Sequence, residues 1–165
     1  MTNAASSGTA VVTLPSDTQI LITRDFNAPR HLVYKAYTTP ELVRRWWAGC
    51  RGQVTHAEID LRVGGLWRYV MTSSEGFEVA FHGTYREIVP DERLVHTEVY
   101  EAIPDAEVLN TVTLADADGR ATMTILVDCG TQAVRDGMMA SGMEVGMQEG
   151  MDLLEQAAIE LAEQA

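Results

Sequence analysis

The segment SGMEVGMQEGMDLLEQAAIELAE, residues 141–163, predicts one long C-terminal helix, and this helix decides the fold class. Met143, Met147 and Met151 recur at helical spacing and, with a leucine three positions later, form one apolar stripe. The first four residues, Ser141 to Glu144, match the capping-box pattern, which predicts that the helix begins near residue 142. A helix from there to residue 163 is about 33 Å long, enough to cover one face of a sheet.

Three glycines interrupt this helix, and each needs a physical reason. Gly142, Gly146 and Gly150 lie beside the stripe, and a glycine inside a helix costs about 1 kcal/mol relative to alanine. Either the helix approaches a neighbouring element closely at these positions, or space is left open beside it. The methionine stripe likewise has two compatible interpretations, as plain core or as one wall of an internal ligand cavity, because methionine suits irregular apolar surfaces.

The sequence before this helix alternates in the manner of β-strands. TQILITRDF, residues 18–26, is the first strand, and two short helices follow, RHLVYKAYT (30–38) and PELVRRWWA (40–48). About six further strands run from residue 54 to residue 129, separated by turn-forming Gly, Pro, Asp and Ser residues. Short links between consecutive strands favour an antiparallel meander, so the sequence predicts an α+β fold with a sheet of about six to seven strands.

Length and charge limit the possible functions. The chain has 165 residues, with residues 18–165 predicted as a single domain and residues 1–17 as a flexible N-terminal arm in which Val11 and Val12 add a loose edge strand. The net charge of −12 disfavours nucleic acids and anionic membranes as partners. Cys50 and Cys129 have no CxxC spacing and are interpreted as free thiols, with a single disulfide between them as the alternative. Without a secretory signal or membrane span, we expect a cytoplasmic protein.

Strand alternation defines the predicted inner face of the sheet. Trp67, Tyr69 and Met71 share one face of their strand, and that face is the bulkier and more apolar one. Applied to every strand and combined with the methionine stripe, this rule predicts the residues that line a cavity between sheet and helix: Trp67, Tyr69, Met71, Phe81, Tyr85, His96, Met123, Ile125, Met143, Met147 and Met151.

Four stretches in this order resemble a known family. FNAPRHLVYKAYTTPELVRRWW (26–47), DLRVGGLWRYVM (60–71), GTYREIVPDERLVHT (83–97) and SGMEVGM (141–147) are similar to the SRPBCC superfamily of START-like proteins. The closest subgroup is the bacterial branch named after the activator of the heat-shock protein 90 ATPase. The resemblance implies the helix-grip fold, in which a curved antiparallel sheet wraps around a long C-terminal helix and encloses an apolar cavity.

The sequence departs from this family at two positions. Met147 stands where the family often has a tryptophan, and His96 where it often has an aromatic residue. Both changes are expected to reshape the cavity, and His96 adds a polar group inside it. The subgroup name does not by itself assign a function, because this chain has no room for the extra domain of the eukaryotic co-chaperone.

The sequence supplies little evidence for catalysis. None of the four histidines lies in a metal-ligand spacing and no phosphate-binding glycine motif occurs, so no metal and no cofactor is predicted. His96 is the one histidine on the inner face, and its neighbour Glu98 is expected near the strand end, where solvent screens it. We therefore assign no catalytic residue and predict that a monomer or homodimer binds a small apolar or aromatic molecule. The alternatives are a cyclase- or dehydratase-like enzyme using His96 and, more weakly, a chaperone-interaction module.

Overall fold

The computed structural model describes residues 10–49 and 51–164 and confirms the α+β helix-grip fold. All its strands form one antiparallel sheet in the order β1-β2-β8-β7-β6-β5-β4-β3. The elements, in chain order, are β1 Val11–Thr13, β2 Gln19–Phe26, α1 Arg30–Thr38, α2 Pro40–Trp46, β3 Gly52–Ile59, β4 Leu66–Ser73, β5 Glu78–Val89, β6 Arg93–Tyr100, β7 Val108–Ala117, β8 Arg120–Asp128, α3 Gln132–Ala140 and α4 Met143–Gln164.

The sheet has eight strands instead of six to seven, because the segment before β2 contributes an edge strand. β1 pairs with β2 through the register Val11↔Thr23 to Thr13↔Leu21. Ala10, just before it, is buried, and its backbone exchanges two hydrogen bonds of 2.9 and 2.8 Å with the side chain of Gln148 on α4. The part of the predicted arm that follows residue 9 is therefore attached to both the sheet and α4, while residues 1–9 lie outside the described residues.

The start of α4 differs from the predicted capping box. The Ser141 hydroxyl donates a 2.6 Å hydrogen bond to the carbonyl oxygen of Met138, so it caps the end of α3 and not the start of α4. Gly142 follows with φ of +81°, a conformation that glycine adopts without strain, and α4 begins at Met143. The Ser141 prediction was wrong because two helices meet at this residue, and the earlier helix takes its hydroxyl.

The other two α4 glycines lie against α2 and the segment after it. A Cβ at Gly150 would lie 3.2 Å from the carbonyl oxygen of Trp46, and one at Gly146 would lie 2.5 Å from the Arg51 guanidinium. The neighbour of Gly150 is backbone, whereas the neighbour of Gly146 is an exposed arginine side chain that can move aside. Close approach of the helix to α2 therefore explains the glycine at 150.

The predicted inner face is the buried face of the sheet. Trp67, Tyr69, Tyr85, His96 and Met123 are all buried, as strand alternation predicts. Ile125 and Met151 are also buried in this main core, whereas Phe81, Met143 and Met147 are half-buried against it. Met71 is buried too, but in a separate small cluster with Ala48 and Val54 beneath α2.

Candidate functional site

Gly83 lets the Trp67 indole cross strand β5. The register pairs Trp67 on β4 with Gly83 on β5, and the indole Nε1 donates a 3.1 Å hydrogen bond to the carbonyl oxygen of Thr97 on β6. A Cβ at Gly83 would lie 1.9 Å from that oxygen and 2.6 Å from Nε1. The glycine therefore provides the room in which the indole lies across the inner face.

Replacing Gly83 with alanine is expected to lower the free energy of unfolding by about 2 kcal/mol, because the added methyl overpacks the contact between backbone and indole. Gly137→Ala is the matched control, since a Cβ there meets nothing within 4 Å and the residue lies inside helix α3. The control should gain about 0.5–1 kcal/mol from helix propensity. Urea denaturation measures both, and a loss at Gly83 no larger than about 0.5 kcal/mol would contradict the steric account.

Aromatic rings form a continuous cluster on this face. The Trp67 ring centroid lies 4.8 Å from that of Tyr69 and 5.5 Å from that of His96. Trp47, at the end of α2, packs edge-on against Tyr69 at 5.4 Å and against Phe81 at 5.5 Å. These rings offer both faces and edges to the interior, which suits recognition of another aromatic or a cationic group.

The adjacent residues Trp46 and Trp47 point in different directions and make different contacts. Trp46 is buried, donates a 3.0 Å hydrogen bond from Nε1 to the carbonyl oxygen of Ala36, and stacks on Tyr37 at 5.3 Å. Trp47 is half-buried and faces the sheet. Trp46 thus fixes α2 onto α1, and Trp47 becomes part of the aromatic cluster.

His96 is a neutral hydrogen-bond acceptor toward the interior. Its Nδ1 lies 3.2 Å from the carbonyl oxygen of Thr97, and since that oxygen only accepts, Nδ1 carries the proton. Burial lowers the pKa of His96 to about 4, so the ring is uncharged at neutral pH and Nε2 bears a lone pair. Its ring centroid lies 6.0 Å from that of Tyr85 on the neighbouring strand.

The surroundings of Glu98 differ from the expected strand end that solvent screens. Its Oε1 accepts a 3.0 Å hydrogen bond from the side chain of Asn110 on β7, and burial raises the pKa of Glu98 despite that bond. The strand continues to Tyr100, and protein atoms surround the carboxyl group densely. The side chain nevertheless keeps some accessible surface. The Asn110 amide and the burial that raises the pKa of Glu98 show that the carboxyl group is largely shielded from bulk solvent.

Three tyrosine hydroxyls on this face are unpaired within the described residues. No hydrogen bond joins the hydroxyls of Tyr37, Tyr69 and Tyr85 to another part of residues 10–49 and 51–164. Burial raises the pKa of all three, and the charge of Glu98 adds to the rise at Tyr37 and Tyr69. In the same ranges, the Nε of Arg24 is the one side-chain nitrogen or oxygen that is inaccessible to solvent and also has no hydrogen-bond partner. The three tyrosine oxygens also have no partner but are not in this class, so each retains some solvent-accessible surface.

The list of lining residues predicted from the sequence did not include Tyr37, Trp47, Glu98 or Asn110. The sequence carries a signal for two of them: helical spacing puts Tyr37 on one face of α1 with Val33 and Ala36, and alternation puts Glu98 on the same face of β6 as His96. The remaining predicted residues are not all gathered here. Met123, Ile125 and Met151 lie in the main core, and Met71 lies in the separate cluster beneath α2.

Half-buried methionines lie where α3 meets α4. Met138 and Met139 from α3 and Met143 and Met147 from α4 all pack against the main core while remaining partly exposed. The middle of α4, in contrast, is buried at Met151 and Leu154. The flexible methionine side chains thus border the interior at one end of the helix, where they can adapt to different shapes.

Two open surface grooves lie elsewhere. One, of about 400 Å³, is lined by Met71, Phe77 and Val79 with polar residues of the β4–β5 turn. The other, of about 290 Å³, lies on the outer side of the sheet beside Arg86 and Asp128. Among the predicted site residues, Met71 alone borders either groove.

Several charged side chains of β4, β5 and the ends of β6 pair with one another on the outer surface. Arg68 bonds Glu101 through two contacts of 2.8 and 2.9 Å, His82 adds a third at 2.9 Å, and Arg68 holds the pKa of Glu101 down at about 2. Glu87 pairs with Arg93 at 3.0 Å, which assigns it to the surface. Within residues 10–49 and 51–164 no three His, Cys, Asp or Glu side chains converge as a metal site would require. No helix in those ranges is long and apolar enough to cross a membrane.

Comparison with known proteins identifies the family. The model of the family described as "Activator of Hsp90 ATPase homolog 1-like protein" matches residues 27–158. The chain belongs to this family. The match confirms the resemblance inferred from the four sequence stretches, and it spans every element from α1 to the buried part of α4. No curated protein matches the chain.

Several solved structures share this fold. A protein from Rhodobacter sphaeroides is 29% identical, with a TM-score of 0.83 over 93% of this chain and 98% of that one. A protein from Nitrosomonas europaea is 22% identical, with a TM-score of 0.81 over 90% and 99% of the two chains. An AHSA1-like protein from Aeromonas hydrophila is 20% identical, with a TM-score of 0.66 over 86% and 94%. The last two, being less than 25% identical, bear on the fold alone.

Proposed function

We propose that this protein binds a small apolar or aromatic molecule between the inner face of β4–β6 and helices α1 and α4. One observation carries the proposal. Tyr37 and Glu98 are densely surrounded by protein atoms, yet both keep accessible surface. A few accessible polar groups among densely packed apolar side chains are typical of a ligand site, and this supports the proposal.

The chemistry of the surrounding residues supports this ligand class. The aromatic cluster of Trp47, Trp67, Tyr69 and Phe81 supplies large apolar surface, and burying a ligand ring against it gains about 25 cal/mol per Å². The tyrosine hydroxyls and His96 Nε2 supply hydrogen-bonding groups that the described part of the chain does not use. We propose that ligands enter between α3 and α4, where the four half-buried methionines lie.

Met147→Trp tests this function. The larger indole at the border of the interior should fill space next to the aromatic cluster and weaken binding of N-phenyl-1-naphthylamine, an uncharged fluorescent probe, at least tenfold. Val145→Trp adds the same ring two residues away on the exposed side of α4, where the wild-type side chain is 67% exposed, and should leave the probe affinity within twofold.

Probe fluorescence and quenching of tryptophan emission measure both affinities, and circular dichroism confirms folding. If the wild-type protein does not bind the probe, or if the two tryptophan variants bind it equally well, the proposed site is wrong.

A further inference from the structure

We propose that this site selects organic cations, and that its preferred ligand is an aromatic amine whose ammonium group pairs with the Glu98 carboxylate beside Trp67, Tyr69 and Tyr37. The inference rests on the proposed ligand-binding function and adds the chemical class of the ligand. It is built from the position of Glu98, the partners it lacks and the groups that surround it.

Glu98 is a carboxyl group without a cationic partner in the described residues. Its one hydrogen bond there comes from the neutral amide of Asn110 to Oε1, which leaves Oε2 available. Arg24, the buried arginine of the inner face, is already held by Asp152 and Glu155 on α4. Buried carboxylates are ordinarily paired with a cation or held by several donors. A ligand ammonium group would supply the missing partner.

Glu98 leaves β6 on the same face as His96 of the aromatic cluster. It follows His96 by two positions and pairs with Val108 of β7. Its charge acts on the hydroxyls of Tyr37 from α1 and Tyr69 from β4, and on the thiol of Cys129 after β8. Groups from α1, from β4 and from the segment after β8 therefore lie near the same carboxylate.

The neighbouring groups favour an ammonium ion over an anion. Indole and phenol faces attract cations that lie within about 6 Å of a ring centroid, and this attraction is strongest where water is excluded. The unpaired hydroxyls of Tyr37 and Tyr69 and the Nε2 of His96 can accept hydrogen bonds from N–H donors. The net charge of −12 also raises the local concentration of cations and repels anions.

The test uses three naphthalene compounds that carry an ammonium, a hydroxyl or a carboxylate group: 1-naphthylmethylamine, 1-naphthalenemethanol and 1-naphthoate. Isothermal titration calorimetry at pH 7.5 and fixed salt measures each against the full chain. We expect the amine to bind at least tenfold more tightly than the alcohol, and the carboxylate to bind most weakly. An amine that binds no more tightly than the alcohol overturns the inference, while binding of the alcohol leaves the proposed function standing.

Glu98→Gln keeps the size of the side chain and its contact with Asn110 while removing the charge. It should weaken the amine at least tenfold and change the alcohol less than threefold. Glu144→Gln removes one charge from the exposed first turn of α4 and should change neither compound more than twofold. Equal losses for amine and alcohol in Glu98→Gln would show a structural effect and overturn the inference.

A second measurement does not depend on the variant's folding. In wild-type protein labelled with ¹³C at glutamate side chains, the Glu98 carboxyl resonance should move on addition of 1-naphthylmethylamine and much less on addition of the alcohol. If neither these compounds nor N-phenyl-1-naphthylamine binds, the proposed function fails together with the inference. If the amine binds without moving that resonance, the inference alone fails.

Discussion

Replacing Arg24 with methionine is expected to lower the free energy of unfolding by about 3 kcal/mol, at the lower end of the range for breaking a buried ion pair. Arg24 is 2% exposed, and its guanidinium contacts Asp152 at 2.8 Å, Glu155 at 3.3 Å and the carbonyl oxygen of Met151 at 2.9 Å. The variant leaves the largely buried Glu155 without this cation, whereas the exposed Asp152 regains water, which moderates the loss. Methionine replaces the apolar part of the arginine side chain but loses the contact of the guanidinium with the Phe26 ring, whose centroid lies 4.7 Å from Cζ.

Arg45→Met provides the matched control for this prediction. Arg45 also pairs with an α4 carboxylate, Glu160, at the same distance of 2.8 Å, but both side chains are more than one third exposed. Exposed pairs contribute between zero and about 1 kcal/mol, so the control should lose no more than that. Urea denaturation of both variants gives the comparison, and equal losses would show that burial does not set the value of the Arg24 contacts.

Arg24 also shows where sequence reasoning ends. The alternation of QILITRDF buries Ile20, Ile22, Arg24 and Phe26 on one face, so the pattern itself placed an arginine inside. A charged side chain is almost never buried unless paired, and its partners lie about 130 residues later in α4. No local pattern connects these positions, because their contact exists only once α4 lies across β2.

The features that the sequence did predict depend on short-range periodicity. The two-residue period placed Trp67, Tyr69, Tyr85 and His96 on the buried face, and the 3.6-residue period identified α4 to within one residue at each end. The environment of Glu98 was beyond reach because it depends on residues distant in the sequence, Asn110 on β7 and Tyr37 on α1. Alternation also fails within β5 near its end, where the register shifts between Tyr85 and Glu87, so Glu87 turns outward toward Arg93.

Wild-type stability is expected to fall by about 3 kcal/mol between pH 6.5 and pH 4 through His96 alone. Burial lowers the pKa of His96 from 6.5 to about 4 in the folded protein, and a pKa that differs by one between the folded and unfolded states corresponds to about 1.4 kcal/mol. Above pH 6.5 the imidazole is neutral in both states and contributes no pH dependence. Between pH 6.5 and 4 the unfolded chain binds a proton that the folded protein does not, so stability declines as the pH falls through this window.

His96→Phe isolates this contribution, because phenylalanine keeps an aromatic ring at the site and cannot titrate. The Thr97 carbonyl oxygen that loses its imidazole donor still accepts the hydrogen bond from Trp67 Nε1. The raised pKa of Glu98 has the opposite effect on stability, because above pH 4.5 the folded protein binds a proton that the unfolded chain does not. This contribution is present in both proteins. The difference in unfolding free energy between wild type and variant should therefore change by about 3 kcal/mol across the window, in favour of the variant at acid pH. Denaturant titrations at half-unit pH intervals measure it, and a difference that stays constant from pH 6.5 to pH 4 would mean that His96 titrates normally and is not shielded as the structure requires.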